Sequence, residues 1–168
     1  TSLLRQCRAI EDERAALQEQ IRQRQAEHPL AALLASMPGA GAFSALALAC
    51  RIGAIGRFPR PRSLANYWGL APGCRNSGEA TRRLGSITKE GSALARFVLG
   101  QMVLHVLRRD ARLRAWYKEV RRRRGSKIAR VAVMRRLATI IWHMVKHQQP
   151  YQSGGRPSAA AAATAGGG

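Results

Sequence analysis

Apolar residues recur at helical spacing along most of the chain, and the pattern fails in one central stretch. In residues 2–28, Leu3, Cys7, Ile10, Leu17 and Ile21 alternate steps of four and three, with Arg14 and Arg24 at two further positions of the series. That spacing predicts a helical arm. The arm either pairs as a short coiled coil or lies as an amphipathic helix on its own domain. Pro29 can open a second helix, PLAALLASM, which must end near Met37 because Pro38 follows. The Pro-Gly-x-Gly turn at 38–41 then leads into an Ala/Leu-rich helix, the sequence form of a helix-hairpin-helix element. Gly39 and Gly41 there let backbone approach a phosphate, or simply let two helices pack.

Residues 56–72, GRFPRPRSLANYWGLAP, read as a cationic turn and a short helix whose Tyr67 and Trp68 are expected to anchor the core. Residues 70–88 lose periodicity and read as a glycine-punctuated loop or hairpin. Helical spacing returns from Lys89, with Leu94, Phe97, Val98, Met102 and Leu107 as the apolar stripe. Asp110 is placed to cap a helix that contains Trp116 and ends in the arginines 121–124. Ser126 is placed to cap the next helix, whose expected buried stripe is Ile128, Val131, Ala132, Leu137, Ile140, Ile141 and Val145. Residues 152–168 are low in complexity and read as a disordered tail. The expected fold is therefore mainly α. An arm (1–28) precedes a domain (29–150) with a helix-hairpin-helix-like element and an irregular central loop or hairpin, and a tail (151–168) follows.

Charge changes this picture most. The chain carries 29 Lys and Arg against 9 Asp and Glu, a formal +20. The arm is neutral, so the rest supplies the whole surplus. Such a surplus calls for a polyanionic partner, and the dominance of Arg suits phosphate oxygens. Residues 108–136 hold eleven Arg and two Lys against Asp110 and Glu119 only. A run that basic repels itself unless an anion neutralises it, so a nucleic-acid backbone surface is expected there, centred on Arg121, Arg122, Arg123 and Arg124. Nothing in it resembles a base-reading code, so it would position rather than specify.

Chemistry is narrower. Cys7, Cys50 and Cys74 form no CxxC, which fits a reducing cytoplasm, and no apolar run reaches membrane length. His143 and His147 stand four apart, but no HExxH frame surrounds them, so a structural or phosphate-facing role is expected and no metal is assigned to this chain. Beyond the arm only Glu79, Glu90, Asp110 and Glu119 remain, too scattered to hold a catalytic metal. Nucleophilic chemistry is left. Ser77 lies in Asn-Ser-Gly with Arg75, Arg82, Arg83 and Lys89 close in sequence, cations that could offset charge on a phosphorane. Ser86 and Thr88 compete with it, and no His/Asp relay accompanies any of the three.

The order of blocks carries a resemblance. MPGAGAFSALALACRIGAIGRF, PRSLANYWGLAP, the Asn-Ser-Gly turn and GSITKEGSALAR follow one another here. Together they resemble the C-terminal transposase domain of the DEDD-type insertion-sequence transposases, also called bridge-RNA-guided recombinases. The resemblance covers about residues 30–147, and a coiled coil preceding the domain in that family matches the arm. It implies that Ser77, followed by Gly78, is the nucleophile that attacks a DNA phosphodiester. It further implies a RuvC-like partner domain with four acidic residues holding Mg²⁺, and a structured guide RNA that sets specificity. Glu79 and Ser92 stand where the family has a basic stretch and an Asn, and Gly53 to Gly56 lacks the family's acidic residue.

The expected protein is thus a DNA transposase domain, bacterial, cytoplasmic and acting at the nucleoid. It is read as a fragment without its acidic N-terminal domain, since the chain starts at Thr1 with mid-protein sequence. Its expected partners are DNA, guide RNA and a second copy joined through the arm. Gly39, Gly41, Arg75, Gly78, Arg82, Arg83, Lys89, Arg96 and residues 121–124 are the expected nucleic-acid contacts. The rival reading is a non-catalytic helix-hairpin-helix module that binds nucleic acid without using Ser77.

Overall fold

A computed structural model describes residues 2–74, 84–87 and 90–153. Among them the chain forms α1 (Ser2–Glu27), α2 (Pro29–Leu34), α3 (Ala42–Ile52), α4 (Pro61–Tyr67), β1 (Pro72–Cys74), β2 (Leu84–Ile87), α5 (Ala93–Arg109), α6 (Ala111–Arg124) and α7 (Ser126–His147). A single 3-10 turn, Ile55–Arg57, links α3 to α4. The mainly α expectation holds, and the central hairpin is present as an antiparallel pair with Pro72 opposite Ile87 and Cys74 opposite Leu84.

α7 forms the axis of the body and packs against α2, α4, α5 and α6. Leu137 and Ile141 of α7 are fully buried with Leu48, Ile52, Leu64, Trp68, Leu70, Leu99 and Met102. Each such aliphatic side chain stabilises the fold by roughly 1.5–3 kcal/mol. Trp142 ties α7 to the turn before α4, its indole N–H donating to the Phe58 carbonyl at 2.8 Å. Asp110 caps α6, accepting from the Leu113 amide at 2.9 Å, and also accepts from the Tyr151 hydroxyl at 2.8 Å. The Tyr151 amide donates to Ser36 Oγ at 2.9 Å, so the chain after α7 returns to the α2 end of the body.

α1 is helical throughout, about 39 Å long at 1.5 Å per residue. It packs on α2 and α3, where Leu17, Ile21 and Arg24 face Leu46 across a shallow cleft. No residue of α1 is buried, and Leu3, Ile10 and Leu17 stay exposed.

Four expectations need correction. Phe97 is 59 % exposed, because the buried stripe of α5 runs through Ala95, Val98, Leu99, Met102, Val103 and Val106, and Phe97 and Leu104 share the opposite face. Ile128 is 54 % exposed, since every residue from 121 to 128 is exposed where α6 hands over to α7. Ser126 does not cap α7. Gly125, at φ +82°, holds the N-cap position, and Ser126 is the first helical residue. A left-handed residue is needed there to end one helix and start the next without a gap. The two expected aromatic anchors also divide: Trp68 is fully buried, whereas Tyr67 is 40 % exposed and stacks obliquely on Phe58.

Candidate nucleic-acid interface

Ser77, with Arg75, Gly78, Arg82, Arg83 and Lys89, lies outside the described residues. The frame on either side is described. At the end of α4 the chain turns through Gly69, at φ +69°, and after β2 it turns through Gly91, at φ +148°. A Cβ on Gly91 would collide with the Tyr67 carbonyl oxygen, and one on Gly69 would lie 2.9 Å from the Glu90 carbonyl oxygen. The two turns touch backbone to backbone, and glycine is required because any side chain would part them. Arg96 completes this contact, its Nη1 donating to the Trp68 carbonyl at 3.1 Å. A charged donor on the last carbonyls of a helix is favourable, and here it fastens α5 to α4. Ser92 starts α5 by accepting from the Ala95 amide at 3.1 Å. The base of the β1–β2 segment is therefore clamped to the body at both ends.

The remaining sequence candidates separate. Gly39, at φ +84°, sits against α5, where an added Cβ would lie 2.7 Å from Cβ of His105. This contact accounts for glycine at that position by packing. Gly41 is the N-cap of α3 with no side-chain cap, and an added Cβ there would meet nothing within 4 Å. Arg121 to Arg124 occupy the solvated end of α6. There Glu119 pairs with Arg122 at 3.1 Å and with Arg123. Hydrogen bonds from those two guanidiniums hold the Glu119 carboxyl below the usual carboxylate range.

His143 and His147 stack with ring planes 9° apart, and Trp142 meets His143 edge-on. Burial, with a smaller contribution from His147, holds the His143 imidazole below its ordinary value. Among the described residues no three His, Cys, Asp or Glu come together to hold a metal ion. No helix of the described residues is long and apolar enough to cross a membrane.

Two arginines lie over aromatic rings distant from them along the chain. Arg57 lies 4.7 Å from the Tyr67 ring and Arg136 lies 4.9 Å from the Trp116 ring. The second pair joins different helices, so no local spacing could have announced it.

These features define a helical, strongly cationic domain with a clamped central hairpin. Residues 31–118, from α2 into α6 and spanning the hairpin, match the Transposase IS116/IS110/IS902 family, and the chain belongs to that family. It is 33 % identical over 123 residues to a protein of Coxiella burnetii described as the transposase for insertion sequence element IS1111A, covering 71 % of this chain and 34 % of that one. A probable family 20 transposase of Pseudomonas aeruginosa is 31 % identical over 126 residues, covering 72 % of this chain and 37 % of that protein. An insertion element IS110 protein of Streptomyces coelicolor is 40 % identical over 77 residues, covering 46 % and 19 %. The matched part of the chain thus spans little more than a third of these relatives at most.

Proposed function

We propose that this chain is the part of a DNA transposase that holds nucleic acid and carries the nucleophile, Ser77. The observation that carries this reading is the family match over 31–118, which encloses Asn76, Ser77 and Gly78, in sequence between Gly69 and Gly91. The cationic surplus supports DNA as substrate. In the proposed step the Ser77 hydroxyl gives up its proton and Oγ bonds to a strand phosphorus. One sugar oxygen leaves that phosphorus and takes a proton. One phosphoester replaces another, so a second sugar hydroxyl can reverse the exchange and release the serine without an outside energy source. Arg75, Arg82, Arg83 and Lys89 would offset charge on the five-coordinate phosphorus.

Four carboxylates for a metal-dependent half-site would come from a separate acidic domain. A structured RNA would choose the target, and α1, with Leu3, Ile10 and Leu17 exposed, would join two copies. The test is to assemble the full-length protein with that acidic domain and its RNA, and to trap covalent protein–DNA adducts. Adducts disappear in Ser77→Ala if the reading is right, and their persistence removes Ser77 as the nucleophile.

A second reading, a non-catalytic helix-hairpin-helix module, draws on the open α3 N-terminus at Gly41. It expects Gly41→Pro, which removes that amide, to weaken DNA binding while Ser77→Ala leaves strand joining intact.

A further inference from the structure

Beside the arginine run lies a quieter cationic feature. A cleft of about 430 Å³ opens between α4, α6 and α7, lined by Arg62, Asn66, Trp116, Arg135, Arg136 and Thr139 among others. Three guanidiniums share it, and no carboxylate lines it. The ion pairs among the described residues engage Arg22, Arg24, Arg122 and Arg123, and none of the three cleft arginines. Like charges brought together from two helices, Arg62 on α4 and Arg135 and Arg136 on α7, raise the energy of the empty cleft, and an anion would relieve it. Arg136 is also held in place by its contact with the half-buried Trp116 ring. A guanidinium fixed in this way loses less freedom on binding than one on a solvated run. Trp116 and Arg123 lie two turns apart on one face of α6, about 10 Å along its axis, so the cleft and the arginine run share one edge of the molecule.

We infer that this cleft seats the sugar–phosphate backbone of a nucleic-acid strand. The inference rests on the nucleic-acid reading given under Proposed function and names the surface that performs it. Arg62, Arg135 and Arg136 take phosphate oxygens, and Asn66 and Thr139 offer hydrogen bonds to phosphate or sugar. The run at 121–124 then adds long-range attraction, and the cleft sets where the strand lies. DNA and RNA present the same backbone chemistry, and the experiment separates them.

Labelled 20-nucleotide single-stranded DNA, RNA of the same sequence and duplex DNA are titrated with the chain, and binding is followed by anisotropy. Two doubly substituted variants remove equal charge: Arg62→Ala with Arg136→Ala in the cleft, and Arg121→Ala with Arg124→Ala in the run. The cleft variant is expected to lose at least about tenfold in affinity and the run variant no more than about threefold, given the usual worth of charge-assisted contacts. Circular dichroism confirms that both fold, and Arg136→Lys retains part of the affinity. Binding also quenches tryptophan emission, and the quenching is lost in Trp116→Phe, because Trp68 and Trp142 are buried. The probe showing the larger difference between the two variants names the occupant. Equal losses in both variants overturn the cleft and leave the nucleic-acid reading standing. No binding of any probe by the parent chain at low salt overturns both.

Discussion

The helical body and the β1–β2 segment are built of different material. The body runs on Leu, Ala, Val and Trp at helical spacing, with Trp68, Leu99, Leu137 and Ile141 fully buried. The segment from Cys74 to Gly91 is rich in Gly, Ser, Thr and Arg, includes Glu79 and Glu90, and has no apolar run. Packing dictates the first, so its residues are replaceable by others of like size and shape. The described residues that flank the second are fastened to the body by the contact of Gly69 with Glu90, of Gly91 with Tyr67, and of Arg96 with Trp68.

That contrast can be broken at graded points. The largest expected effect is Trp68→Ala, which empties a fully buried site. It should lower unfolding free energy by about 3–5 kcal/mol, read by denaturant titration. Gly91→Ala tests the clamp itself. The left-handed φ and the approach to the Tyr67 carbonyl predict a loss of roughly 1–3 kcal/mol, with strand joining impaired alongside stability. A neutral result there would mean that the segment is not held as described.

Tyr151→Phe removes the hydroxyl bond to Asp110 but leaves the α6 cap in place. A loss of about 1–2 kcal/mol is expected, with nucleic-acid binding unchanged. The Tyr151 hydroxyl is held above its ordinary range by burial and by Asp110, so the bond persists through neutral and mildly alkaline pH.

The smallest effect is a pH dependence from His143. Its folded-state value lies below the ordinary value of about 6.5, so below that pH the unfolded chain binds more protons. Its stabilising contribution is complete above about pH 6.5 and falls as pH drops toward the folded-state value. The thermal midpoint should be lower at pH 5.5 than at pH 7.5, and His143→Asn should reduce the difference.

Much of the body was legible in the sequence. Asp110 before a helix ending at Arg124, and Leu137, Ile140, Ile141 and Val145 as a buried stripe, follow from capping and periodicity alone. Phe97 and Ile128 are apolar at helical spacing, yet both are exposed, so apolar identity alone does not decide burial at those positions. The cleft was invisible, since Arg62, Trp116 and Arg136 meet only through tertiary packing. Arg96 was legible as a charge and not as a fastener: its Nη1 bonds the Trp68 carbonyl, a tertiary contact that no local spacing announces. Ser77 had no periodic or relay signature, and the ordered blocks around it singled it out by resemblance.

The most direct test of the account is the site of covalent attachment to DNA in the full-length protein. Trypsin cuts after Arg75, Arg82, Arg83 and Lys89, so Ser77 is released in the peptide Asn76–Arg82, and Ser86 and Thr88 in Leu84–Lys89. After nuclease trimming of a trapped adduct, mass spectrometry should find the residual nucleotide on Asn76–Arg82, with fragmentation assigning it to Ser77 rather than Thr81. A nucleotide on Leu84–Lys89, or on neither peptide, would contradict the account.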